Sequence, residues 1–134
     1  MSARRRIAAA LLAGAAAFDS AAQSCDGPGK RVESDRYVVA YRTLPAKIAV
    51  GEHFAVEAVV CAKGASPAVE GLRIDAQMPE HRHGMNYRAT VTARGAGRYV
   101  AEGLLFHMPG HWQVLFDVEA RGRTERLTTD LVLE

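Results

Sequence analysis

The chain has 134 residues, 49% of them hydrophobic and 24% charged, and a formal net charge of +2. That length suits one domain with its own core. Three of the positive charges, Arg4, Arg5 and Arg6, stand together near the N-terminus. The remainder is close to neutral, which removes the electrostatic case for binding nucleic acid or an anionic membrane.

In chain order, residues 1–22 read as a secretory signal. The three arginines form a charged start, and Ile7 to Phe18 form an apolar run too short to span a bilayer comfortably. Ser20-Ala21-Ala22 places small residues where a signal peptidase reads, so cleavage is expected before Gln23. A retained N-terminal anchor is one alternative. Lipidation at Cys25 is another, with Ser24 fitting that signal and Ala22 fitting it poorly. Export places the chain in the periplasm or otherwise outside the cytoplasm, where thiols are oxidised. The two cysteines, Cys25 and Cys61, then read as one disulfide. The rival reading makes one of them a metal thiolate.

Residues 23–35 form a polar lead-in without periodicity. Residues 36–134 then read as strands and turns, with no amphipathic helix. Strands are expected over Arg36 to Leu44, Lys47 to Val50, Phe54 to Cys61 and Leu72 to Met78. Others run from Tyr87 to Ala93, Arg98 to Phe106, Trp112 to Glu119 and Arg126 to Leu133. Apolar and polar residues alternate in several of them, as in Leu72, Ile74, Ala76 and Met78 against Arg73, Asp75 and Gln77. The Gly95–Gly97 stretch and Gly122 mark hairpin turns. Seven or eight such strands at regular spacing predict an all-β fold, an immunoglobulin-like antiparallel β-sandwich.

Two short loops hold four of the five histidines and three of the four methionines. The first runs Met78-Pro79-Glu80-His81-Arg82-His83-Gly84-Met85, the second His107-Met108-Pro109-Gly110-His111-Trp112. Counting strand reversals brings them together. Two strands separate the loops, and two reversals return the chain to the same end of a sandwich. The same count brings His53 to that end and sends Cys61 to the other.

Imidazole and thioether need no deprotonation at neutral pH, and the thioether favours Cu(I) over zinc. In an extended segment His81, His83 and Met85 share one side. They form the primary ligand set together with His107. Met78, Met108, His111 and His53 are second choices for ligation or support. Met78 continues an inward register and also reads as core, His53 as exposed loop, and His111 as a partner for a loop carbonyl. Trp112 is expected between the sheets. No nucleophile–base arrangement, phosphate loop or haem-attachment motif stands out, so no enzyme is expected.

The chain resembles the YtkA-like/FixH-like group of small exported bacterial β-sandwich domains. The resemblance runs from about Tyr37 to the C-terminus. It is carried by Met78-Pro79, by His81-Arg82-His83-Gly84-Met85, by Gly97-Arg98-Tyr99 and by Phe106-His107-Met108-Pro109-Gly110-His111-Trp112. It implies an immunoglobulin-like fold and association with metal handling or respiratory-oxidase assembly in the cell envelope. The expected function is an exported, monomeric copper carrier that serves an envelope metalloenzyme or copper-handling protein. The alternative is an interaction or accessory module for assembly of such an enzyme, without a metal of its own.

Overall fold

The computed structural model describes residues 25–134. The export signal expected over residues 1–22, and its cleavage before Gln23, lie outside them. Among the described residues, nine strands form two antiparallel sheets. They are β1 (Lys30–Glu33), β2 (Tyr37–Leu44), β3 (His53–Ala62), β4 (Gly71–Met78), β5 (His83–Gly84), β6 (Thr90–Gly95), β7 (Arg98–Leu105), β8 (Gly110–Ala120) and β9 (Arg123–Leu133). One sheet has the order β1-β2-β3-β7-β6 and the other β5-β4-β8-β9. This is the predicted β-sandwich.

Alternation decides which side chains meet between the sheets. Tyr37, Val39 and Tyr41 from β2 pack with Val56, Ala58 and Val60 from β3, and with Leu72, Ile74, Ala76 and Met78 from β4. Val114, Phe116 and Val118 from β8 complete the layer. Trp112 and Phe106 are fully buried and stack with ring centres 4.5 Å apart.

Three local expectations change. Lys30–Glu33, within the polar lead-in, is a strand paired with β2. It lacks an apolar signal because it is an edge strand in which only Val32 is partly buried. Lys47 to Val50 is not a strand but part of the β2–β3 connection. Pro45 precedes it, and Gly51, at φ 78°, follows. The strand expected from Tyr87 starts only at Thr90, because residues 85–89 carry the chain from one sheet to the other.

Cys25 and Cys61 are joined, with Cα atoms 5.8 Å apart. The bond pins the lead-in across the outer face of the five-stranded sheet, where Cys25 packs on Val38 and Val59. Gly27 lies so close to Ala40 that a side chain there would clash. At this same end Gly97 adopts φ 72° beneath the Val60 carbonyl, a conformation and a proximity that only glycine tolerates.

Candidate metal centre

The other end of the sandwich gathers the histidines, as the reversal count predicts. Met78 ends β4, and His53 at the start of β3 pairs with Leu105 at the end of β7. Gly110 starts β8, opposite Leu133 at the end of β9.

Residues 79–82 form the turn between β4 and the two-residue strand β5. The His81 N–H donates to the Met78 carbonyl at 3.1 Å, and His83 pairs with Met78. Arg82 adopts a left-handed φ of 54°. The extended alternation expected through His81, His83 and Met85 therefore holds only from His83 onward. The turn nonetheless stacks the His81 and His83 rings, with centres 5.8 Å apart.

The second loop is braced by its neighbours. The Trp112 Nε1–H donates to the Met108 carbonyl at 3.0 Å, and the buried indole stands edge-on to the His107 ring at 5.4 Å. The His83 ring lies 5.2 Å from His107 and 6.2 Å from Trp112. Two imidazoles sharing an ion hold it about 2.0–2.1 Å from each nitrogen, which puts their ring centres roughly 5 Å apart. His83 and His107 meet that spacing. The Nδ1 atom of His107 is buried and has no hydrogen-bond partner among the described residues, and a buried polar atom without a partner is costly. Among the described residues, no three His, Cys, Asp or Glu side chains are grouped to hold a metal ion.

The three loop methionines differ in placement. Met78 is 1% exposed in the core, its Cε against Gly110. Met85 and Met108 are partly buried and pack on the rim of that core. These two thioethers flank the imidazole pair in sequence without being committed to the interior.

His53 and His111 reach the same end but face away from the centre. His53 packs on Tyr87, with ring centres 5.3 Å apart. His111 pairs across β9 with Val132, while its neighbour Trp112 points inward. The His111 Nε2 lies 2.7 Å from the Asp130 carboxylate and Nδ1 lies 3.6 Å from Glu80. The Asp130 hydrogen bond, reinforced by the charges of Asp130 and Glu80 and opposed by partial burial, holds the His111 pKa above its ordinary value. Its side chain is only one-third exposed. His111 thus acts as a clasp between the 79–82 turn, through Glu80, and β9, through Asp130.

The two carriers of support that sequence reading missed are Trp112 and Asp130. The first was read only as core. The second was recoverable, because a two-residue turn at Arg121-Gly122 sets β9 against β8 in the register that brings Asp130 beside His111.

The sequence motif and the fold agree with a family comparison. The model of the YtkA-like family matches residues 31–116, which include both loops. The chain belongs to the YtkA-like family. Comparison with curated proteins gives no match. Among solved structures, a crystal structure of a DUF4426 family protein from Pseudomonas aeruginosa is similar with a TM-score of 0.47 and 13% identity, over 79% of this chain and 99% of that one. Membership of the YtkA-like family, with the closed disulfide, points to an exported accessory domain.

Proposed function

We propose that this YtkA-like domain carries one copper ion, Cu(I) by preference, at the histidine end of the sandwich, and delivers it to a metalloenzyme or copper-handling protein of the periplasm. His83 and His107 are the central ligands, and Met85 or Met108 supplies thioether. His81 lies one ring farther out, where it can receive or release the ion. The role is carriage without turnover.

The observation that carries this reading is the pairing of His83 with His107 at 5.2 Å, beside a buried His107 Nδ1 that has no hydrogen-bond partner among the described residues. A buried imidazole nitrogen on a ring that stands against Trp112, with Met85 and Met108 close in sequence to the two imidazoles, suits a soft monovalent ion better than a doubly charged one. Titration of the purified protein with Cu(I) and Cu(II) under a competing chelator tests it. One Cu(I) per chain is expected, and His83→Ala/His107→Ala should weaken binding by about a hundredfold or more, from the loss of two of its ligands. A double variant that binds Cu(I) like the wild type overturns the site.

One observation favours the second reading, a metal-free interaction module. The exposed large hydrophobics Leu44, Val50, Tyr87 and Val132 all fall at the histidine end. They suit a contact surface for an envelope partner. The same titration separates the readings, because a metal-free module takes up no stoichiometric copper.

A further inference from the structure

β9 is the outermost strand of the four-stranded sheet, and among the described residues no strand lies beyond it. The hairpin that starts it fixes which backbone groups stay unused. Ala120 pairs with Arg123 across a two-residue turn in which Arg121 and Gly122 have φ of 49° and 69°. Such a turn closes on a pair that exchanges both backbone hydrogen bonds. The register then runs without a shift to Gly110 and Leu133. Arg123, Glu125 and the other odd-numbered residues of β9 therefore bond to β8. Thr124, Arg126, Thr128, Asp130 and Val132 turn their N–H and C=O groups outward. The far side of the sheet supports this phase. Ala76, which pairs with Val114, turns its carbonyl away from β8 to accept from the Met85 N–H at 3.3 Å.

No proline, lysine or bulge interrupts this edge, and these are devices that commonly keep a second strand away. It carries a pattern of charge instead. The outward-bonding residues also share the outer face of the sheet, and Arg126 and Asp130 stand symmetrically about Thr128. Each is held within its own chain on one side only. Arg126 spends Nε and Nη2 on Asp117, at 2.7 and 2.8 Å, which leaves Nη1. Asp130 meets His111 and Gln113 through Oδ1, which leaves Oδ2. The other two charges of β9 lie toward its start and on the opposite face. Glu125 is held there by Arg36, and Arg123 adjoins the turn.

We propose that the open edge of β9 pairs with the same edge of a second copy of this chain, antiparallel and centred on Thr128, so that two four-stranded sheets become one continuous sheet. The two-fold axis sets Arg126 of each copy against Asp130 of the other, and the exposed Val132 against Thr124. Registers centred on Arg126 or Asp130 would face like charges, which destabilises a cross-strand pair. Registers centred on Leu127 or Thr129 would set both charges opposite threonine or valine. Only the register on Thr128 matches both charges with opposite ones. A two-fold interface must complement itself, and this edge does so, which singles out a second copy as the occupant. The dimer replaces the monomer expected from sequence. Its histidine ends point in opposite directions, and the proposal does not depend on copper.

Sedimentation of the purified protein from about 1 μM to about 1 mM tests this, with amide hydrogen exchange at both ends of that range. Monomer should pass to dimer as concentration rises. The amides of Thr124, Arg126, Thr128, Asp130 and Val132 should then become protected, while those of the other strand edges stay as they were. Thr128→Pro removes an N–H that β8 does not use, so it should weaken the dimer at least about tenfold with the fold intact. Asp130→Arg should weaken it about as much, by setting arginine against arginine. A monomer throughout the range overturns the proposal. So does protection at another edge, or a dimer indifferent to either variant.

Discussion

The two ends of this sandwich are built on different terms. At one end the chain is closed by the Cys25–Cys61 bond, a lead-in laid across Val38, Ala40 and Val59, and a turn whose Gly97 sits tight beneath the Val60 carbonyl. At the other, the turns are polar, the exposed apolar side chains collect, and a buried imidazole nitrogen goes without a partner. The first end is spent on holding the fold. The second leaves the buried His107 Nδ1 unsatisfied, the feature on which the proposed copper site rests.

The largest expected effect blurs this division. Trp112 belongs to both the core and the centre, so Trp112→Ala should cost about 3–5 kcal/mol in denaturant unfolding. It should also weaken copper binding, because the Met108 carbonyl loses its donor. Copper affinity unchanged in a folded Trp112→Ala protein would separate the core from the site. Next in size is the closed end. The bridge spans 36 residues, so Cys25→Ser/Cys61→Ser should lose about 3–4 kcal/mol by loop entropy. Copper affinity should hold, since the bond lies at the far end. A matching fall in affinity would mean that the ends are coupled.

A smaller effect lies on the outer face of the four-stranded sheet. Asp117 is the one buried charged residue described, and the Arg126 hydrogen bonds hold its carboxyl below its usual pKa, with Arg73 assisting. Asp117→Asn should cost about 1–3 kcal/mol, measured by urea unfolding. Its folded pKa is depressed, so the stability it adds is present above the unfolded value and falls away as pH drops through the folded one. The smallest effect concerns His111, whose pKa is raised by Asp130 first. The clasp's contribution is complete below the unfolded histidine pKa and is lost as pH rises through the folded one. His111→Gln should flatten that part of the pH–stability curve, and an unchanged curve would remove the clasp.

Much of the sandwich was readable from sequence. Alternation in Leu72 to Met78 and in Trp112 to Glu119 gave the inward faces, and reversal counting alone brought His53, His81, His83, His107 and His111 to one end. What it did not give was their grouping. The count says which end, whereas side-chain direction depends on local phase. His53 turns out beside Tyr87, and His111 turns out beside Asp130 because Trp112 turns in. Arg82 breaks the extended run that linear spacing had implied, since nothing in its type announces a left-handed backbone. β1 escaped notice for a related reason. An edge strand with one half-buried valine carries no apolar rhythm to read.

The pairing of Leu133 with Gly110 has a practical consequence for anyone handling this protein. Whatever is joined after Glu134 emerges beside His107 and His111. A polyhistidine purification tag fused there would hang extra imidazoles at roughly millimolar local concentration next to the centre. It would compete for the ion of the proposed site, so copper affinities measured with such a fusion would belong partly to the tag.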